Sequence, residues 1–178
     1  MSNISVNRSK YLIWRKVDML RLKPYRKEYA DTIISWSQDE RAFYKWSAGV
    51  MGAYPITKKE FGFVDSIMTF SAFDEEKMIG FFTLRNPGGK IDELRIGFVI
   101  LDPRQRGCGK GKEMIRLALN YAFEVYGARR VSLGVFENNE SAYYCYKAAG
   151  FKEVILDETE TYIVHNEEWR CKEMIIER

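Results

Sequence analysis

The stretch FVILDPRQRGCGKGKEM, Phe98 to Met114, constrains this chain more than any other. An apolar run stops at Asp102-Pro103, and three glycines (Gly107, Gly109, Gly111) then alternate with other residues among basic side chains. A pattern of helical period follows. Proline has no N–H to give to a ladder, and glycine lets the backbone approach a ligand without interference from a Cβ. The segment therefore reads as a strand handing over to a helix. Helix N-termini carry unpaired N–H groups and partial positive charge, so they attract anions. RGCGKG reads as a phosphate or pyrophosphate cradle, with Arg104, Arg106 and Lys110 adding positive charge. A tight strand-to-helix turn that needs positive φ is the plain structural alternative.

Two common phosphate motifs do not fit. A P-loop needs G-x-x-x-x-G-K-[ST]; here Gly107 and Gly111-Lys112 stand one residue too close, and Glu113 replaces the hydroxyl. The dinucleotide fingerprint needs G-x-G-x-x-G early in a parallel unit, whereas this one is G-x-G-x-G and lies past mid-chain.

The surroundings predict a single mixed α/β domain over residues 1–178, with residues 1–17 as an N-terminal arm. MLRLKPY reads as a short strand. KEYADTIISWSQDERAFYKWSAG reads as two short helices broken around Ser37, with Gly49 as a stop. Thr57 and Glu60 have the spacing of a capping box, and MTFSAFDEEKMIGFFTLRN looks like two strands around an acidic turn. IDELRIGFVIL alternates, which places Leu94, Ile96, Phe98 and Ile100 on one face of a further strand. Ile115, Ala118, Leu119, Ala122 and Tyr126 keep helical spacing up to Gly127. RRVSLGVF is a strand, and NNESAYYCYKAAG is a helix with an asparagine cap and Gly150 past its end. The tail predicts a hairpin turning around Asn166.

Composition excludes several classes. The net charge of +3 permits an anionic ligand but gives no clustered basic stripe for nucleic acid. Three cysteines (Cys108, Cys145, Cys171) and one histidine (His165) offer neither a disulfide framework nor metal-ligand spacing. No leader-like or membrane-length apolar segment is visible, so a cytoplasmic location is expected.

RGCGKG resembles the Q/R-x-x-G-x-G/A signature of the GCN5-related N-acetyltransferases (GNAT), with Arg106, Gly109 and Gly111 at the fixed positions. ENNESAYYCYKAAGF is similar to a later motif of that family, matched by Asn139, Ala142 or Tyr143, Tyr146, Gly150 and Phe151. The resemblance covers roughly residues 18–177. It implies a central, mostly antiparallel sheet with helices on both faces, splayed between the strands at 93–101 and 130–136. It also implies acetyl-coenzyme A as co-substrate, no metal, and a primary amine as acceptor, in a monomer or homodimer. The pyrophosphate would lie on Gly107, Cys108, Gly109, Lys110, Gly111 and Lys112. Val99, Ile100 and Leu101 would pair with the pantetheine arm through their backbone.

Asn139 and Tyr146 project from one helix face, with small Ala142 between them. An amide and a phenol along one groove could bond the pantetheine and give a proton to the thiolate; an N-cap asparagine and a core tyrosine are the plain alternative. The general base is open. Some relatives place a glutamate on the strand before the asparagine motif, where this chain has Gly134. Others place one near the start of the cofactor-contacting strand, where Glu93 (or Asp92) is the nearest fit. Trp36, Phe43, Tyr44 and Trp46 suggest aromatic walls for the acceptor. Protein N-termini, polyamines, aminoglycosides and amino acids all stay open as its class. A coenzyme A-binding regulatory module without turnover is the alternative function.

Overall fold

The computed structural model describes residues 20–156 and 160–178; the arm expected over residues 1–17 lies outside them. The first half is an antiparallel meander of β1 (Arg21–Pro24), β2 (Met68–Asp74), β3 (Lys77–Arg85) and β4 (Glu93–Leu101). Between β1 and β2 lie α1 (Ala30–Ser35), α2 (Glu40–Ser47) and α3 (Lys58–Phe61). After β4 come α4 (Lys110–Asn120), β5 (Arg130–Phe136), α5 (Glu140–Ala149), β6 (Lys152–Val154), β7 (Glu160–Val164) and β8 (Glu167–Glu177). The eight strands form one sheet, β1-β2-β3-β4-β5-β8-β6, with β7 beside the other half of β8.

Local chemistry explains the boundaries. The chain breaks between α1 and α2 at Ser37, and Asp39 restarts the helix by accepting a bond from Ala42 N at 2.7 Å. The capping box at Thr57 and Glu60 forms as the spacing predicts. A π-helical turn, Tyr121–Tyr126, extends α4 to Gly127. His165 and Asn166 both take positive φ at the hairpin turn between β7 and β8. The short, mostly exposed β6 has no pattern that announces it.

Helices cover both faces. Met114, Ile115, Ala118 and Leu119 of α4 pack with Leu94, Ile96 and Leu133 on one side. Ile33, Phe43 and Phe61 pack with Phe81 and Ile100 on the other. Ile100 thus lies opposite Leu94 and Ile96, which corrects the single-face reading of β4. The cause is a bulge. Gly80 and Phe81 pair with Leu101 and Ile100, but Thr83 and Leu84 pair with Gly97 and Ile96, so β4 carries one extra residue. Phe98 takes it up at φ 47°, the alternation flips, and Phe98 joins Ile100 on the second face.

The only parallel pairing among the described residues, β4 with β5, is short: Glu93, Leu94 and Arg95 meet Arg130, Val131 and Ser132. Beyond it the strands part while β5 stays paired to β8 along its length. The sheet opens where the family resemblance implies.

Candidate active site

The opening between β4 and β5 is the floor of a cleft of about 720 Å³, within the range of small-molecule sites. One half faces α4 and α5, and the other faces α2 and the β7–β8 hairpin.

In the first half, α4 begins at Gly109, whose φ of 84° and missing side chain leave the helix without a side-chain cap. The first intrahelical bond runs from Glu113 N to Gly109 O at 3.1 Å. A Cβ on Gly109 would meet nothing within 4 Å. The amides ahead of that bond have no intrahelical partner and can take an anion. Gly107, Gly109, Gly111 and Lys112 line the cleft.

Cys108 and Lys110 do not. The Cys108 thiol donates to Gln105 O, and Lys110 Nζ pairs with Asp74 at 3.1 Å and Glu113 at 3.7 Å. Arg104 is also committed elsewhere, donating through Nε and Nη2 to the buried Asp102 at 3.0 and 2.9 Å. Those hydrogen bonds hold the Asp102 carboxyl below its usual pKa. Of the basic side chains expected to add charge to the loop, only Arg106 reaches the cleft, and its Nη2 donates to Leu101 O and Trp36 O at 3.2 Å. Arg106 thus ties the end of β4 to the end of α1.

Val99, Ile100 and Leu101 line the same half, on an edge that β5 has left unpaired. Across from them, Asn139 and Tyr146 face inward from α5. Asn139 stands at the N-cap position, but its side chain makes no cap bond; its Oδ1 only accepts a long bond from Ser141 Oγ at 3.4 Å. The capping alternative is therefore not what holds it there. Tyr146 is 7% exposed and packs against Phe151. Burial pushes its phenol pKa up, so it carries its proton at neutral pH and can donate it.

Glu93 is not in this cleft. It sits at the closed end of the opening, accepting from Ser132 Oγ at 3.3 Å with Lys90 Nζ at 3.7 Å. The charged groups that do stand at or beside the cleft were not singled out by their sequence context. Arg95 crosses over β5 to Glu173 on β8, with Nη1 to Oε1 at 2.5 Å. Gly134 makes this possible, because a Cβ there would stand 2.9 Å from Arg95 Nη2 and 2.8 Å from Cys171 Sγ. The glutamate site of some relatives is thus filled by a guanidinium. One carboxylate, Glu160, does line the cleft, accepting from the Tyr162 hydroxyl at 2.5 Å. Burial, then Glu160, pushes the Cys171 thiol up to about 11, and burial also raises Cys145, which argues against either as a nucleophile at neutral pH.

Trp36 and Trp46 line the walls, and Trp46 Nε1 donates to Phe98 O at 2.9 Å, bracing the bulge. Phe43 is core instead. Among the described residues no group of three side chains could hold a metal ion, and no helix is long and apolar enough to cross a membrane.

A splayed α/β sheet with a glycine-opened helix terminus at the gap defines a class, and the profile of the acetyltransferase (GNAT) family matches residues 23–151. The chain belongs to that family. Over 75 residues it is 31% identical to the spermine/spermidine N(1)-acetyltransferase of Bacillus subtilis (strain 168), covering 42% of this chain and 49% of that one. It spans about half the length of the curated relatives it matches. Its fold is similar to that of the spermidine N-acetyltransferase from Vibrio cholerae, solved in complex with CoA and spermine. The TM-score is 0.74 at 18% identity, over 89% of this chain and 95% of that one.

Proposed function

We propose that the protein is an acetyl-coenzyme A-dependent N-acetyltransferase that moves the acetyl group directly to a primary amine within one ternary complex. The observation that carries this reading is the junction of the unpaired β4 edge, the uncapped start of α4 and the buried Tyr146 in a single cleft. Acetyl-coenzyme A supplies a thioester open to attack by an uncharged amine. The amides from Gly107 to Lys112 hold the pyrophosphate, as helix N-termini do. The backbone of Val99, Ile100 and Leu101 and the Asn139 amide pair with the pantetheine amides.

A free alkylamine has a pKa of about 10.4 and must lose a proton before it attacks. Glu160, the carboxylate on the cleft wall, is the group we assign to that proton. Tyr146 gives its proton to the departing thiolate. Holding donor and acceptor side by side contributes several kcal/mol more. Three free thiols fit the reducing cytoplasm as the place of action.

The test is incubation with acetyl-coenzyme A and a panel of amines, reading thiol release and the gain of one acetyl group by mass. The proposal predicts stoichiometric thiol and acetylated amine for some members. Tight coenzyme A binding without thiol release across the panel would instead identify a binding module.

A further inference from the structure

The acceptor half of the cleft carries the wrong charge for a polycation. Five basic side chains (Lys45, Arg85, Arg95, Arg106, Lys112) line the whole cleft against one acidic one, Glu160. Arg106 and Lys112 belong to the coenzyme A end, which leaves Lys45, Arg85 and Arg95 facing the acceptor. Arg85 and Arg95 are direct cross-strand partners, but Arg95 already has carboxylates beside it, paired to Glu173 and within electrostatic reach of Glu160, which leaves Arg85 uncompensated. Glu173 engages only Nη1 of Arg95, and Lys45 donates to Asn138 O. The Arg85 side chain has no hydrogen bond or ion pair among the described residues.

We propose that the acceptor is an amine that also bears a carboxylate, with its amino group toward Glu160 and its acid toward Arg85. This assignment rests on the acetyltransferase reading above and deepens it. A zwitterion matches a site with one carboxylate and an excess of fixed cations. A polyamine has no group for Arg85, and its further ammonium groups would meet Lys45. The carboxylate also sets the direction of binding: with the acid held at Arg85 on β3, the amine points across the floor to Glu160 on the β7 side.

The experiment compares matched pairs that differ only in the acid, 6-aminohexanoate with hexylamine and tyrosine with tyramine, with spermine as a third arm. Calorimetry on the protein loaded with coenzyme A reads binding, and thiol release with acetyl-coenzyme A reads turnover. The acid-bearing member of a pair is expected to bind at least tenfold more tightly, with spermine weaker than either. Arg85→Gln, at an exposed position that does not support the core, is expected to narrow that ratio to near one. Equal binding within both pairs, tighter binding of spermine, or a ratio unmoved by Arg85→Gln overturns the proposal. Failure to bind coenzyme A at all would overturn the acetyltransferase reading as well, so the two failures are distinguishable.

Discussion

Two glycines at opposite ends of one helical segment separate backbone strain from ligand binding. Gly109 at the start of α4 has φ 84°, and Gly127 past the π-helical turn has φ 82°; a Cβ on either meets nothing within 4 Å. Gly109→Val and Gly127→Val therefore cost the fold about the same, roughly 1–2 kcal/mol for an L-residue in the left-handed region and somewhat more for a β-branched one. For a chain of this size that is a fall of roughly 2–4 °C in melting temperature per kcal/mol. Only Gly109 borders the cleft. Its valine fills the space where the pyrophosphate approaches the α4 amides and prevents about two charge-assisted bonds, each worth roughly 1.5–3 kcal/mol. Coenzyme A affinity is expected to fall about 100-fold or more in Gly109→Val and to hold in Gly127→Val, measured by calorimetry beside thermal melts. Equal affinities in the two variants, with equal melting shifts, would refute the placement of the anion.

Three further outcomes follow from named contacts. Tyr146→Phe keeps the ring packing against Phe151 and is expected to lower acetyl transfer about 10²-fold while leaving coenzyme A affinity within a factor of a few, by thiol-release kinetics and calorimetry. Glu173→Ala leaves the largely buried Arg95 guanidinium without its partner and is expected to cost about 2–3 kcal/mol in urea unfolding, below the full range for a deeply buried pair because both side chains keep some exposure. The Asp102 carboxyl is held low by Arg104, so its stabilisation is complete above the ordinary carboxylate pKa of about 3.9 and is lost as pH falls through the lowered value. Asp102→Asn is therefore expected to flatten the acid limb of the stability profile below about pH 4, read as melting temperature against pH.

The order of elements, β6 excepted, was legible in the sequence because each was announced locally. Thr57 with Glu60, Gly127 and Gly150 mark helix ends by their own backbone chemistry, and the glycine run marks the start of α4. Phe98 was not legible as a bulge, since a left-handed phenylalanine leaves no trace in an alternating apolar strand. The missed site residues share a different cause. Arg95, Glu173 and Glu160 come from β4, β8 and β7, and register across four strands, β5 included, brings them together near Gly134. A glycine at residue 134 is visible in the sequence; the guanidinium that occupies its space is not. In the same way, the charge of Lys110 is visible, but the Asp74 carboxylate that claims it becomes a neighbour only in the fold.

Amide hydrogen exchange with and without coenzyme A tests the central claim most directly, because it reads the backbone groups assigned to the ligand. The account predicts slowed exchange on binding at Val99–Leu101, on the unpaired edge of β4, and at Gly107–Lys112, ahead of the first bond of α4. Exchange unchanged at both segments while coenzyme A binds, or slowed only outside the cleft, would contradict it.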